Sequence, residues 1–123
     1  MTPKKRARPP SNLVTKFFEL TLDKQFTNAE KILNEIKLKI RLADWSLGYL
    51  HALEGIIYVR RTDYDKYAFL SNIDFDDPNE LKRIYKEFQK HSNDRMHTVF
   101  DRGFFSAWAD FIKYLIENRR SNK

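Results

Sequence analysis

The chain has 123 residues, one domain's worth, with 41% hydrophobic and 15% aromatic residues, so it is a foldable globular chain with the aromatics for a dense core. It has no cysteine, three glycines and four prolines, which excludes disulfides, thiol catalysis and Cys-ligated zinc and disfavours the turn-rich sandwiches, barrels and glycine-rich phosphate loops. The net charge of +6 sits on the ends: residues 1–10 and 119–123 hold seven basic and no acidic residues, and residues 11–118 are nearly neutral.

Residues 1–10 read as a flexible basic arm, because Pro3, Pro9 and Pro10 oppose regular helix and Lys4, Lys5, Arg6 and Arg8 resist burial. Ser11 is a helix cap, and Leu13, Val14, Phe17, Phe18 and Leu20 give a first helix over about 12–23. Thr27 and Glu30 have capping-box spacing and open a second helix over about 28–42, with Ile32, Leu33, Ile36 and Ile40 on its apolar stripe. Asp44 caps a third helix over about 45–61, carrying Trp45, Gly48, Tyr49, Ala52, Leu53, Ile56 and Ile57. Thr62 or Asp63 starts a short fourth helix with Tyr67, Phe69 and Leu70, followed by a polar break at Asp74–Asp77. Asp77, Pro78 and Glu80 restart the chain as cap, first-turn proline and capping-box acid for a fifth helix to about His91. Asn93 or Asp94 caps a last helix to about Arg119, whose stripe includes Phe104, Ala107, Trp108 and Phe111. No strand is expected. The fold class is all-α, about six helices arranged as antiparallel αα-hairpins, tetratricopeptide-like or bundled. The domain spans 11–119, with a basic tail at 120–123.

Two segments echo each other. Gly48-Tyr49-Leu50-His51-Ala52-Leu53 matches Gly103-Phe104-Phe105-Ser106-Ala107-Trp108 at an offset of 55, and residues 31–36 match residues 83–88 at an offset of 52. The pairs Gly48/Ala52 and Gly103/Ala107 put small residues on one helical face, where a second backbone can approach closely. That backbone belongs either to the same chain or to a second copy; for the second case Gly103 and Ala107 are the expected contact of a homodimer.

Catalytic and metal motifs are sparse. There is no Gly-x-Ser-x-Gly and no Walker-type loop, so no enzyme and no cofactor are expected. His97 and Asp101 share a helix face, but two ligands without a third are a weak signal for a metal, and Asp74, Asp76 and Asp77 lack the glycine and terminal glutamate of a calcium loop. The run Lys4-Lys5-Arg6-Ala7-Arg8 reads as a phosphate-neutralising arm, a nuclear import signal or a solubilising tail. Lys37, Arg41, Arg60, Arg61, Arg119 and Arg120 extend it as candidate RNA contacts.

The stretch from Gly55 to Tyr67 resembles the tetratricopeptide repeat, with Gly55, Tyr58, Asp63 and Tyr64 at that repeat's spacing and an earlier copy marked by Phe26 and Ala29. Ala29 and Tyr67 are 38 apart rather than the family's roughly 34, Tyr67 replaces a small alanine, and the closing proline is missing. The resemblance implies stacked helix pairs and a protein-binding role. In composition alone, the Pro/Lys/Arg arm on a helical body is similar to small archaeal or bacterial ribosome-associated proteins. The expected function is a non-enzymatic, cytoplasmic ribosome- or ribonucleoprotein-associated protein with rRNA and a ribosomal or other protein as partners. The alternatives are a tetratricopeptide-like adaptor that binds only protein and a small helical DNA-binding protein. With no apolar run near the roughly 18 residues of a span, no membrane partner is expected, and the N-terminus lacks the apolar region of a secretory signal.

Overall fold

The computed structural model describes residues 6–62 and 77–118. These form α1 (Ser11–Leu22), α2 (Phe26–Lys39), α3 (Asp44–Thr62), α4 (Pro78–Ser92) and α5 (Val99–Glu117), and no strand occurs among the described residues. The short fourth helix expected over Tyr67–Leu70 lies outside them, as do Lys4, Lys5, Tyr64, Arg119 and Arg120. Among the described residues no helix is long and apolar enough to cross a membrane.

Several helix starts differ from expectation. The Thr27–Glu30 box does not form: α2 begins at Phe26 behind Gln25, with no side chain capping it. The reason is the tightness of the turn before it. Lys24 adopts a left-handed φ of 62°, and the Gln25 N–H closes on the Leu20 carbonyl at 2.9 Å, so Thr27 is already inside the helix. Asp77 does cap α4, its side chain accepting the Asn79 N–H at 2.9 Å. The last helix starts later than expected. Asp94 instead accepts the Met96 N–H within the turn, and the Thr98 hydroxyl caps α5 by accepting the Asp101 N–H.

α5 is the hub. Its most extensive packing is against α3 and α4; α1 and α2 pack on each other, while α2 touches α3 at few points. The core runs from Phe17 and Phe18 of α1 through Ile36, Tyr49, Leu53 and Ile56 to Leu81, Trp108 and Ile112, all nearly or fully buried. Trp108 sits in this core as its stripe position requires, with the rings of Phe88, Phe104 and Phe111 around it.

The crossing of α3 and α5 depends on two glycines. A Cβ on Gly48 would lie 1.9 Å from the carbonyl oxygen of Phe100, and one on Gly103 would lie 1.9 Å from that of Trp45. These contacts are equivalent under the sequence echo, since Trp45 and Gly48 match Phe100 and Gly103 at the same offset of 55. The two similar segments therefore meet each other backbone to backbone. Glycine is required here for space, which explains why its roughly 1 kcal/mol helix cost is tolerated.

Candidate functional site

The described part of the basic arm does not hang free. Pro9 is buried, and Arg8 reaches across to α5: its Nη1 donates to Asp110 Oδ2 at 3.1 Å and its Nη2 to Ser106 Oγ at 3.0 Å. The guanidinium also lies over the Trp45 ring, 5.3 Å from its centroid, a cation–π position. Tyr49 of α3 donates its hydroxyl to the same Asp110 oxygen at 2.7 Å. One carboxylate thus joins the N-terminal segment, α3 and α5. Burial pushes the Tyr49 phenol well above its ordinary range, the Asp110 charge and hydrogen bond add to that, and Arg8 opposes it. A phenol held protonated in this way is a hydrogen-bond donor and no base. Beside the cluster is a pocket of about 320 Å³ reaching Ser11, Thr15, Lys113 and Glu117.

Docking Arg8 and Pro9 carries Arg6 to the end of α2. The Arg41 N–H donates to the Arg6 carbonyl at 2.9 Å. Ser46, fully buried, holds the same corner: its hydroxyl donates to the Arg41 carbonyl at 2.7 Å and accepts the Ala43 N–H at 2.8 Å. The side chains of Arg6, Lys39 and Arg41 are exposed there and have no side-chain partner among the described residues.

The other candidate basic residues among the described ones are engaged. Lys37 pairs with Glu54 at 3.4 Å, Arg61 with Glu30 at 2.7 Å, and Arg60 donates to the Leu22 carbonyl at 3.3 Å. The two ion pairs bridge α2 and α3 across a groove of about 430 Å³. The six described candidates for RNA contact therefore do not form one surface. Arg6 and Arg41 come together, Lys37 and Arg61 line the α2–α3 side in internal ion pairs, Arg60 reaches the end of α1, and Arg8 is committed to α5. Gly103 and Ala107 lie buried in the crossing, so their face is occupied within the chain. A second copy would have to meet a different surface.

Sequence reasoning missed Asp110, Ser106 and Lys39. Asp110 left a signal, a lone carboxylate between Ala107-Trp108 and Phe111-Ile112 on an otherwise apolar stretch. Such a group needs a partner when the helix packs. Nothing in the sequence identified Arg8 as that partner, 102 residues away. Compared with family models, curated proteins and solved structures, the chain matches none.

Proposed function

We propose that the chain is a non-enzymatic, cytoplasmic RNA-binding protein that docks on a ribonucleoprotein such as the ribosome, with the corner of Arg6, Lys39 and Arg41 as its phosphate contact. The observation that carries this reading is the hydrogen bond from the Arg41 N–H to the Arg6 carbonyl, which brings the basic N-terminal segment beside the basic end of α2. Lys4 and Lys5 adjoin Arg6 in the sequence and add two more positive charges to that segment. Phosphate contact of this kind positions a partner without reading sequence.

The test is RNA binding as a function of salt, with a structured RNA as probe. Affinity should fall steeply with salt, and Arg6→Ala/Arg41→Ala should weaken binding and lower the slope by roughly 0.7–0.9 per lost phosphate contact. Lys37→Ala/Arg61→Ala, which removes paired charges, should do much less. Salt-independent binding, or equal effects of the two double variants, would sink the reading. Co-sedimentation with ribosomes, with and without nuclease, then addresses the ribonucleoprotein.

A second reading, docking on a protein, has its own support. Leu47 and Tyr58 of α3 and Val99 and Phe100 of α5 are exposed, and Met96 in the α4–α5 turn is 92% exposed. Apolar side chains left in water favour a partner that covers them. Binding to ribosomal protein that persists after nuclease treatment and in high salt would favour this reading.

A further inference from the structure

The connection between α4 and α5 holds a pair of histidines. His91 lies in the last turn of α4, and His97 directly precedes the Thr98 cap of α5. Nδ1 of His91 and Nε2 of His97 face each other at 3.1 Å. Phe105 backs both rings, with centroids 4.8 Å from His91 and 5.5 Å from His97. Asp94 places Oδ2 4.0 Å from that same His97 nitrogen while its Oδ1 accepts the Met96 N–H. Glu87, one turn back on α4, lies 3.8 Å from the other His91 nitrogen, Nε2.

We propose that this pair is a binding site for a divalent transition-metal ion of the zinc class, with Nδ1 of His91 and Nε2 of His97 as its protein ligands. Two metal–nitrogen bonds of about 2.0–2.1 Å closing on nitrogens 3.1 Å apart subtend roughly 100° at the ion, between octahedral and tetrahedral geometry. The ion takes the place of the proton that the two imidazoles otherwise share. Small ring rotations bring both lone pairs onto it, and the side chains, 39% and 31% exposed, have room for them and are open to entry from solvent.

Glu87 faces the nitrogen of His91 that does not ligate. At 3.8 Å it is beyond hydrogen-bond distance, and a change of rotamer would let it take the free N–H, as carboxylates beside metal-bound histidines do. Among the described residues no three His, Cys, Asp or Glu side chains are close enough to enclose an ion, so water fills the remaining positions. Asp94 offsets part of the charge. Imidazole and water select zinc, nickel or copper over magnesium and calcium, which prefer all-oxygen sites. Binding would tie the end of α4 to the start of α5 beneath the exposed Met96.

The test uses the tag-free, chelator-treated full chain titrated with zinc chloride by calorimetry, with magnesium chloride in parallel. Zinc should bind saturably at one ion per chain and raise the melting temperature, since an ion that binds only the folded state stabilises it by mass action; magnesium should do neither. His91→Gln and His97→Gln should each abolish saturable binding, His51→Gln on α3 should keep it, and Glu87→Gln should weaken it about tenfold. On the wild-type chain, zinc should shift the NMR ring signals of His91 and His97 together and leave those of His51 in place, a readout independent of how the variants fold. No saturable binding, binding that survives loss of either histidine, or a shift confined to His51 would overturn the proposal.

Discussion

The α4–α5 and α2–α3 pairs begin from similar sequence and end differently. Residues 83–88 echo residues 31–36, and residues 103–108 echo residues 48–53. Yet α4 packs extensively on α5, while α2 touches α3 at few points and leaves a charged groove. The difference lies in what the facing positions carry. Between α4 and α5, Phe88 meets Phe105 and Trp108, and aromatic area pulls the helices together. Between α2 and α3, Lys37 meets Glu54 and Glu30 meets Arg61. Half-exposed ion pairs hold two helices at the length of their side chains and add little stability. α3 closes against α5 instead, at the glycine crossing. A repeated pattern of small and apolar residues thus makes one reciprocal crossing without making two equivalent helix pairs.

The most severe way to break this arrangement is at the crossing itself. Gly103→Leu puts side-chain atoms where the Trp45 carbonyl already sits, and that carbonyl is backbone, which cannot rotate away. The expected outcome is a chain without cooperative thermal unfolding or dispersed NMR signals. A folded variant of unchanged stability would show that the helices can part, and a folded variant that had lost only self-association would move Gly103 to an interface between copies.

Trp108→Ala attacks the aromatic pair alone. The side chain is 1% exposed, and its removal should cost roughly 3–5 kcal/mol by urea denaturation. A loss below about 1 kcal/mol, where a buried tryptophan predicts several, would mean that α4–α5 packing does not depend on the aromatic cluster.

A smaller effect tests the link between the two sides. Tyr49→Phe removes one donor from Asp110 but leaves Arg8, so the cost at neutral pH should be about 1 kcal/mol. The alkaline limb is more specific. The folded protein holds the Tyr49 proton above the ordinary phenol range, whereas the unfolded chain releases it near about pH 10. Stability is therefore complete below that pH and falls as pH rises through it, because the unfolded state loses the proton first. Tyr49→Phe should flatten this decline. An alkaline decline as steep in the variant as in the wild type would remove Tyr49 from the account.

The smallest effects belong to the α2–α3 groove. Its ion pairs are about half exposed, so Lys37→Ala and Glu30→Ala should each change stability by less than about 1 kcal/mol. A larger loss in either would make the groove a structural joint rather than an open surface.

The all-helical class was legible in the chain because apolar spacing is a local property, and five of the expected helices occur within a few residues of their expected bounds. The Asp77 cap and the burial of Trp108 were legible for the same reason: one depends on the adjacent N–H groups and the other on its place in a stripe. Long-range pairing decided the rest. Four basic residues near Met1 read as a free arm because sequence shows their charge and not the carboxylate that Arg8 meets on α5. Lys37 and Arg61 read as open cations until α3 supplied Glu54 and α2 supplied Glu30. The glycines announced a close approach without saying to what, since a missing side chain specifies space and not its occupant. Periodicity along a helix determines which face turns inward. Which helix lies against that face, and so which charges remain for a partner, depends on energies summed between distant residues, and only the assembled fold decides it.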